Sequence, residues 1–506
     1  MNRFFHSQLK LSTLFFGALV LLVGSANSDV KSTSSSQLGL VVAWETNIGG
    51  APLAHGSHSF VVWPHSNAKT EFVTVKSGSR ILQQFNGDEI DHAAIERAIL
   101  QGERLTTTPK LGLEGAKANA EKLVTTYAKM GKTLIVEPFS QRLTYIVTLT
   151  SNGILVGIDG ETGAILWKSE AGDTRLEMHG PGVSDEYVVM TNGIQLFVFD
   201  LAKGNLVATR KLLFSPTGAP TAAGGMAFVP SIEGRLVAYN ILDQKAPPIV
   251  LRSGTENRIG VVHSSDRNFL GWPMGNRLFI ASLGEKPNLW TSIALNESVS
   301  NLPVASLKGF VFSGSEGTVV HCGTDRMNSL FWKTRLATPV SKSPVIGQNV
   351  VLVVSDEGSL IALDLETGTE LWERPVTNIN EIASVGKQHA YVTNSSRSLV
   401  SIQLSDGKET ARSSNVFPKV LPNSVSDRLF FITPSGVLTC MREANADQPT
   451  FVADHKTATD ATSVKPAPST EAGTTETPEA SNIFGEEPMK KETAEETENV
   501  FGTDPL

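Results

Sequence analysis

A short phrase of sequence recurs along this chain at nearly constant spacing. It is clearest at Ser355–Trp372, S-D-E-G-S-L-I-A-L-D-L-E-T-G-T-E-L-W, and at Ser151–Trp167, S-N-G-I-L-V-G-I-D-G-E-T-G-A-I-L-W. Each copy predicts two short apolar strands joined by a tight turn, in which an Asp caps the turn and a Gly adopts a positive φ. Because both faces of the first strand are apolar, each hairpin must be covered on both sides.

The first-glycine position of this phrase occurs eight times, at intervals of 40, 41, 42, 41, 41, 39 and 39 residues. The eight positions are Gly153, Gly193, Gly234, Asn276, Gly317, Gly358, Arg397 and Gly436. A further strand precedes the phrase, so each unit holds about four strands in about forty residues, which is typical of a propeller blade. We therefore predict an all-β fold, an eight-bladed β-propeller of four-stranded blades over residues 133–453 with a small α-helical insertion. Nine blades are the alternative.

The repeated Asp, Gly and Trp residues are assigned structural roles. A cofactor or metal site would break the repeat once, whereas turn capping and packing between blades keep the same residue in each copy. The repeated residues are Gly153, Asp159, Gly163, Trp167, Gly193, Asp200, Gly204, Gly234, Trp290, Gly317, Trp332, Gly358, Asp364, Gly368, Trp372 and Gly436. The second, third, seventh and eighth copies lack the Trp.

An N-terminal segment is predicted to close the ring. Gly39–Thr46, G-L-V-V-A-W-E-T, resembles the Trp-bearing last strand of a blade but has no blade before it. We expect residues 38–46 to complete the C-terminal blade, because this exchange removes the free sheet edges of an open ring. Pro449–Ala453 is the competing closing strand.

Residues 47–132 form a predicted insertion. Ser59–Val62, Glu71–Val75 and Ile81–Phe85 indicate a small meander, which is either a ninth blade or a decoration of the ring. Helical spacing of apolar residues follows over Ile90–Glu103 and Leu113–Met130. We expect these helices to cap one face of the propeller.

The first 26 residues resemble a signal peptide. Arg3 and Lys10 precede the uncharged run Leu11–Val23, and Gly24-Ser25-Ala26 supplies small residues for cleavage near Ala26. The run is shorter than the roughly 20 residues of a membrane span. We expect export to the periplasm or cell envelope; an uncleaved anchor through residues 11–26 is the alternative and would give the only membrane contact. Ser25 stands where a lipoprotein needs Cys, so acylation there is excluded.

The C-terminal residues 457–506 differ from the body in composition. Residues 447–506 carry 13 acidic and 4 basic side chains, which leaves a net charge of +1 for the rest of a chain of net charge −8. The body therefore has no basic excess that would favour nucleic acid. The tail is predicted to be disordered. Its two phrases N-I-F-G-E-E-P and N-V-F-G-T-D-P are either low-complexity duplication or a bivalent docking peptide, with candidate residues Phe484, Gly485, Pro488, Phe501, Gly502 and Pro505.

Few residues have the pattern of a chemical site. Cys322 and Cys440, the two cysteines, are predicted to be small buried hydrophobes. His55, His58 and His65 lie in a Gly/Ser-rich connection with no helical spacing to fix a metal geometry. The pairs Trp63-Pro64 and Trp272-Pro273 are assigned to packing, with exposed binding anchors as the alternative. We predict no catalytic, metal or cofactor-binding residue.

The pattern G-x-L-x-A-L-D-x-x-T-G-x-x-x-W, shown by Gly358–Trp372, resembles the repeat of pyrroloquinoline-quinone (PQQ)-type β-propellers. This superfamily includes the quinoprotein alcohol dehydrogenases and the non-enzymatic BamB-type subunits of outer-membrane assembly machinery. The resemblance covers about residues 134–446 and implies the fold rather than one function. With its N-terminal segment, insertion and acidic tail, the whole chain is also similar to exported propeller proteins of planctomycete-type bacteria.

The resemblance implies specific requirements for an enzyme. Quinoprotein dehydrogenases stack their cofactor between a Trp and a ring of two adjacent bonded cysteines, beside a Ca²⁺ held by Glu and Asn and a catalytic Asp. This chain has no adjacent cysteines and no C-x-x-C-H for haem. We therefore expect a monomeric, non-enzymatic exported scaffold that binds protein partners in the envelope. The alternatives are a PQQ-dependent oxidoreductase with Ca²⁺ and a BamB-like assembly factor.

Overall fold

The computed structural model describes residues 38–452, apart from 53–58, 79, 88, 90, 102–108, 253–258, 285, 300, 327–328 and 447. The predicted signal peptide, His55, His58 and the acidic tail with its repeated phrase lie outside the described residues. The chain divides into two units, Met1–His455 and Lys456–Leu506. All elements below belong to the first unit.

The described residues form eight antiparallel sheets that follow one another along the chain. The N-terminal strand is β1 (Leu40–Asn47), and sheet 1 contains β2 (Phe60–Ser77), β3 (Arg80–Asn86), β4 (Ile135–Leu149), β5 (Ile154–Asp159) and β6 (Ile165–Glu170). Sheet 2 contains β7 (Met178–Val183), β8 (Tyr187–Asn192), β9 (Gln195–Asp200) and β10 (Leu206–Lys211), and sheet 3 contains β11 (Thr221–Ala223), β12 (Met226–Ser231), β13 (Arg235–Asn240) and β14 (Ile249–Arg252).

The remaining strands continue this order. Sheet 4 contains β15 (Val262–His263), β16 (Phe269–Met274), β17 (Arg277–Ser282) and β18 (Asn288–Ala294), and sheet 5 contains β19 (Val304–Ser306), β20 (Gly309–Ser313), β21 (Thr318–Gly323) and β22 (Leu330–Arg335). Sheet 6 contains β23 (Val345–Ile346), β24 (Val350–Val354) and β25 (Leu360–Asp364), and sheet 7 contains β26 (Ile379–Val385), β27 (His389–Asn394), β28 (Ser398–Gln403) and β29 (Glu409–Val416). Sheet 8 contains β30 (Lys419–Leu421), β31 (Leu429–Ile432) and β32 (Val437–Glu443) together with β1.

Buried apolar clusters join each sheet to the next. A further cluster, which contains Trp44, Ile158 and Phe430, joins sheet 8 back to sheet 1 and closes the ring. The first strands of several successive sheets contact one another, so they surround the centre. The sheets are apolar on both faces because each lies between two others. The predicted all-β propeller class is thus confirmed.

The seam between the chain ends is formed by β1. It pairs antiparallel with β32 along its whole length, from Leu40 opposite Glu443 to Asn47 opposite Val437. Phe451, in the competing segment, forms only an isolated bridge to Ser426. Trp44 therefore supplies the Trp that the eighth copy lacks in its own sequence.

The outer part of sheet 6 departs from the sequence prediction. After the turn at Asp364, the chain makes only two isolated bridges, Leu363 to Glu370 and Leu360 to Val376. Pro375 has no N–H to donate, so a regular ladder cannot pass through it. The prediction of a second strand ending on Trp372 is therefore wrong, although the Trp372 side chain is buried between sheets 6 and 7.

The insertion is continuous with sheet 1, whose spatial order is β3-β2-β4-β5-β6. Ser59–Val62 and Glu71–Val75 were predicted as separate strands of a meander, but almost all of these residues lie in the single strand β2. The pairing of β2 with β4 shifts register between Pro64 and Lys69, so the polar residues that indicated a break form a bulge. Both β2 and β4 run from the ring into the insertion, and β4 begins two residues after the predicted boundary at residue 133.

The part of this insertion beyond the bulge, residues 69–142, is called the arm. It contains β3, the outer halves of β2 and β4, and two helices, α1 (His92–Gln101) and α2 (Gly112–Ala128). Ala116 and Ala120 of α2 are fully buried against Val73 and Val75 of β2. No helix in the described part of the chain is long and apolar enough to cross a bilayer.

Candidate functional site

Five tryptophans make the same contact between neighbouring sheets. Trp332 donates its Nε1–H to the carbonyl of Leu365 at 2.8 Å, and its ring lies over Gly368, whose φ is +72°. A Cβ on Gly368 would lie 2.5 Å from the Trp332 ring, so glycine is required for the packing as well as for the turn. The other four indole donors are Trp44 to Gly160, Trp167 to Leu201, Trp290 to Thr324 and Trp372 to Leu404.

The repeated aspartates cap turns. Asp159 Oδ1 accepts the N–H groups of Glu161 and Thr162 at 2.9 and 2.8 Å. Asp364 accepts the two equivalent N–H groups of its own turn, and Asp200 accepts one, that of Lys203. The first-position glycines all adopt positive φ, namely Gly153, Gly193, Gly234, Gly317, Gly358 and Gly436. Within the described residues, no three His, Cys, Asp or Glu side chains are arranged to hold a metal ion.

A stacked quinone needs an open tryptophan face. The two tryptophans outside the five contacts are both covered: Trp272 is fully buried beside Phe279, and Trp63 lies under the Arg267 guanidinium, 4.2 Å from its ring. Cys322 and Cys440 are free and buried in different sheets. Burial raises the pKa of Cys322 to about 12, so it stays a neutral thiol.

The centre of the ring is filled on the side from which the arm leaves. Trp63, on the innermost strand of sheet 1, donates its Nε1–H to Asp185 of sheet 2 at 2.9 Å. Its ring edge meets His263, on the first strand of sheet 4, with centroids 5.1 Å apart. Arg267 of sheet 4 pairs with Asp185 and donates to the carbonyl of Pro64. Side chains from three sheets therefore meet across the channel.

We call Trp63, Asp185, His263 and Arg267 the central cluster. Its two charged groups, Asp185 and Arg267, form an ion pair. Burial alone would raise the pKa of Asp185, but hydrogen bonds from Ser66 and Trp63 and the charge of Arg267 lower it. Burial, and then the Arg267 charge, lower the pKa of His263 to about 4, so its imidazole is neutral at pH 7. Trp63 and Trp272 are both buried, as the packing interpretation of the Trp-Pro pairs predicted.

The last described residues approach the same centre. Val452 packs against the cluster between sheets 5 and 6, and its N–H donates to the carbonyl of Val425 at 3.0 Å. Phe451 is buried beneath the Arg142 guanidinium, 5.5 Å from its ring centroid. Residues from the arm root and from the C-terminal segment thus lie together at this side of the ring.

A groove separates the arm from the ring beside this cluster. One cavity of about 750 Å³ is lined by Lys76 of the arm and by ring residues that include Tyr391 and Glu443. A second cavity of about 340 Å³ is lined by the arm residues Thr74 and Phe139, and both cavities reach Lys76 and Gln448. We call these two cavities together the arm groove.

The groove presents mixed polar and aromatic chemistry. Lys76 pairs with Glu137 at 2.8 Å, and the Tyr391 hydroxyl donates to Glu443 at 3.1 Å. Burial, followed by the neighbouring Glu443 charge, raises the pKa of Tyr391, so this phenol stays protonated. The Lys76 ammonium and the Tyr391 hydroxyl are thus both paired at the wall of the groove.

Sequence reasoning found the repeat residues but missed Asp185, Arg267 and Lys76. These residues belong to different sheets and share no motif, so no local signal marks them. The proposed histidine trio is only partly described: His55 and His58 lie outside the described residues, and His65 Nδ1 accepts the N–H of Ala68 at 3.0 Å.

Comparison with solved structures gives matches that include the following three. BamB from Moraxella catarrhalis is 14% identical, with 59% of this chain and 93% of that chain covered and a TM-score of 0.47. The computationally designed Ika8 protein is 13% identical, with 58% and 92% covered and a TM-score of 0.45. The C-terminal WD40 domain of Sif2 is 13% identical, with 59% and 92% covered and a TM-score of 0.45.

No curated protein matches the sequence. The family described as outer membrane protein assembly factor BamB matches residues 151–255 and 281–472, which together are more than half of the chain. This match is consistent with the PQQ-type repeat in the sequence and the ring of sheets in the structure. The chain therefore belongs to this BamB-type family of PQQ-like β-propellers.

Proposed function

We propose that this protein is an exported, non-enzymatic β-propeller that acts as a protein-interaction scaffold in the cell envelope. The observation that carries the proposal is the arm groove, which lies between the arm and the ring and is lined by the exposed Lys387, Gln388 and Gln448 and the half-buried Phe139. Membership of the family of outer membrane protein assembly factor BamB supports a role in protein binding. Export is supported by the signal-peptide pattern of residues 1–26.

The structural assignments of the repeated residues support a non-enzymatic role. The repeated Asp side chains cap turns, and all seven tryptophans are committed to sheet packing or to the central cluster. In the central cluster, Asp185 pairs with Arg267 and accepts the Trp63 Nε1–H. No resident cofactor is part of this proposal.

Quantitative pull-down from envelope fractions tests the scaffold role. The full chain is compared with Gln388→Arg, which places a large cation in the groove, and with Gln195→Arg, the same change at an exposed position of β9. We expect Gln388→Arg to lose partners that the full chain and Gln195→Arg retain. If none of the three enriches any protein over a tag-only control, the scaffold proposal fails.

The tail has a separate test. Deleting residues 457–506 removes both copies of the N-hydrophobic-F-G phrase. If the tail recruits a partner, this variant loses a subset of the captured proteins. Identical partner profiles with and without residues 457–506 would remove the tail from the proposal.

A second candidate function is outer-membrane protein assembly, favoured by the family match. Depleting the protein should then lower the amount of folded β-barrel proteins in the outer membrane. An unchanged barrel content after depletion would leave the scaffold proposal standing without this specialisation. The residue Ser25 in place of a lipidated Cys means that any membrane attachment at that position uses other chemistry.

The PQQ-dependent oxidoreductase is the remaining alternative. Adding the quinone with Ca²⁺ to the purified full chain should give no thermal shift and no dye reduction, because Trp63 and Trp272 are covered and no metal-binding cluster lies among the described residues. A quinone-dependent thermal shift together with dye reduction would overturn the non-enzymatic proposal.

A further inference from the structure

One strand of the arm has a backbone edge that no other strand covers within the described residues. β4 pairs with β2 along almost its full length, from Ile135 to Thr148. On its other side it pairs with β5 only from Tyr145 to Leu149. The arm half of β4, Ile135–Arg142, therefore has a strand on one side only, as the sheet order β3-β2-β4-β5 requires.

The direction of each backbone group along this edge follows from two hydrogen bonds. The Leu149 N–H donates to Ser59 on the β2 side at 2.9 Å, whereas the Thr144 carbonyl accepts from Gly160 on the β5 side at 2.8 Å. Successive residues of a strand direct their backbone groups to opposite sides. Odd-numbered residues of β4 therefore bond β2, and the even-numbered Val136, Pro138 and Ser140 face the open edge.

Pro138 lies in the middle of this edge. Because proline has no N–H, the edge offers N–H donors only at Val136 and Ser140, together with the carbonyls of all three residues. Proline on an exposed edge is a known protection against uncontrolled strand pairing. The remaining donors and acceptors repeat every second residue, which is the period of an extended polypeptide.

The arm groove runs beside this edge. Its smaller cavity is lined by four consecutive residues of β4, Val136–Phe139, and by Gln448 across the gap. Phe139 stacks on Phe72 at 5.3 Å on the groove face of the arm sheet, while the opposite face is covered by α2. A strand added here would pair with backbone and place alternate side chains beside the Phe72–Phe139 pair.

We infer that the open edge of β4 binds an extended polypeptide segment of a partner protein by adding a strand to sheet 1. A small molecule or a helix cannot satisfy backbone donors and acceptors spaced along an extended strand. The inference rests on the proposed scaffold function and specifies what kind of segment the scaffold receives. Alternate residues of that segment should be apolar, to contact Phe139, the half-buried member of the aromatic pair that lines the groove.

The test uses a labelled peptide of sequence KTEFVTVKS, which copies residues 69–77 of β2, the strand that β4 already pairs with. Its binding to the full chain is measured by fluorescence anisotropy, against a scrambled peptide of the same composition. Ser140→Pro removes one outward N–H without removing a bond to β2. We expect it to weaken binding about fivefold, the effect of roughly one hydrogen bond, while the matched control Ser140→Ala keeps the N–H and binds normally.

Pro138→Ala is the reciprocal variant, because it restores the missing N–H. It should tighten peptide binding, and this gain cannot result from misfolding. Hydrogen exchange gives an independent readout: the N–H groups of Val136 and Ser140 should exchange quickly in the free chain and slowly with peptide. Unchanged binding in both Ser140→Pro and Pro138→Ala, absence of binding to the full chain, or protection of both N–H groups without peptide would each overturn the inference.

Two further results separate this inference from neighbouring ideas. If Pro138→Ala forms a dimer in analytical ultracentrifugation without peptide and the native chain does too, the edge binds a second copy, which overturns the assignment to a partner protein. If Ser140→Pro and Pro138→Ala both leave peptide binding unchanged while Gln388→Arg still removes partners in pull-down, the strand-addition inference fails and the scaffold proposal stands.

Discussion

The seam between sheets 8 and 1 and the interface between sheets 5 and 6 are built on the same contact but by different parts of the chain. At the internal interface, Trp332 donates to Leu365 and Thr334 donates to Gly368. At the seam, Trp44 donates to Gly160 at 3.1 Å and Thr46 donates to Gly163. An N-terminal strand has thus taken the place that a C-terminal strand holds in an ordinary unit.

The two interfaces differ in their polar groups. The internal interface contains His321, a neutral side chain between the Ser306 hydroxyl and the Leu365 carbonyl. The seam contains Arg428, whose side chain is 2% exposed and lies 3.2 Å from Glu161 and 3.3 Å from Asp427. Burial raises the pKa of Glu161, and the Arg428 charge opposes that shift.

The buried charges occur at the interface where segments distant in the sequence meet. A buried ion pair is a poor source of stability but penalises any arrangement that separates its members. Arg428 also donates to the carbonyl of Ala446 at 3.1 Å, so it joins sheet 1, sheet 8 and the segment after β32. We infer that the seam uses charge to fix the register in which distant chain segments meet.

The largest expected effect is at Trp44. Trp44→Ala and Trp332→Ala each remove a buried indole and should lower the free energy of unfolding by about 3–5 kcal/mol. Only Trp44→Ala should loosen the ring-closing strand β1. Hydrogen exchange should then show β1 opening before the rest of the ring. Val42→Ala, at a position of β1 that is 41% exposed, serves as the control and should change stability by less than about 0.5 kcal/mol. Equal protection of β1 in Trp44→Ala and Trp332→Ala would show that the seam is an ordinary interface.

Arg428→Ala tests the charge at the seam. It leaves Glu161 and Asp427 buried without their cation and should cost about 3–5 kcal/mol in urea unfolding. The double variant Arg428→Met with Glu161→Gln removes both charges of the 3.2 Å contact and should recover a large part of that loss. If the double variant is as unstable as Arg428→Ala, the loss comes from packing and not from an unpaired charge.

The neutral histidine of the internal interface predicts a dependence on pH. Burial, with a smaller contribution from the Lys308 charge, lowers the pKa of His321 to about 4, against opposition from the Leu365 carbonyl and Glu366. Because the unfolded chain takes up a proton near pH 6.5 and the native chain does not, stability is fully present above about pH 6.5 and is lost as pH falls toward 4. The loss should be up to about 3 kcal/mol at about 1.4 kcal/mol per pH unit.

The variants His321→Asn and Ser306→Ala separate the titration from the hydrogen bond. His321→Asn should reduce the loss of stability between pH 7 and pH 4.5, measured by urea unfolding. Ser306→Ala removes the bond to His321 Nε2 but keeps the imidazole, so it should retain most of the pH dependence. Equal pH dependence in His321→Asn and the native chain would assign acid sensitivity to other groups, of which buried His263 is the first to test.

The interval of the repeat was enough to predict the propeller class because each unit meets the same requirements. A turn with an Asp cap and a positive-φ glycine, and a Trp between sheets, leave local marks such as Asp159, Gly163 and Trp167. Even the ring-closing strand could be recognised, since Trp44 carries the same mark far from the last unit. These features depend on neighbouring residues within each repeat, so the spacing of the motif is enough to predict them.

The remaining features depend on contacts between segments with no shared pattern. The register of β2 with β4 crosses a bulge and an insertion, so its two halves look like separate strands. In the unit that contains Trp372, the outer strand is interrupted at Pro375. The periodic sequence pattern gives no sign that the regular hydrogen bonds of this strand are missing. The central contact of Trp63 with Arg267 joins residues about two hundred positions apart, with no motif to indicate their meeting.

The interface between sheets 2 and 3 extends the comparison to a unit without Trp, and the smallest effect is expected there. Arg210 lies 5.1 Å over the Tyr239 ring and donates to the carbonyls of Asn240 and Ala246 at 3.3 and 2.7 Å. Its guanidinium therefore reaches the same turn that an indole reaches elsewhere. A lysine keeps the charge but loses the planar fork and its stacking.

Arg210→Lys should cost about 1 kcal/mol in urea unfolding, since it forfeits a stacked contact and about one hydrogen bond. Lys211→Ala, at the exposed neighbouring position on β10, is the control and should be nearly neutral. In a double-mutant cycle, the costs of Arg210→Lys and Tyr239→Phe should be largely additive, because Phe retains the ring face on which the guanidinium stacks. A cost of 3 kcal/mol or more for Arg210→Lys, in the range expected for a buried Trp, would show that the guanidinium is a full replacement for the indole and not a weaker substitute.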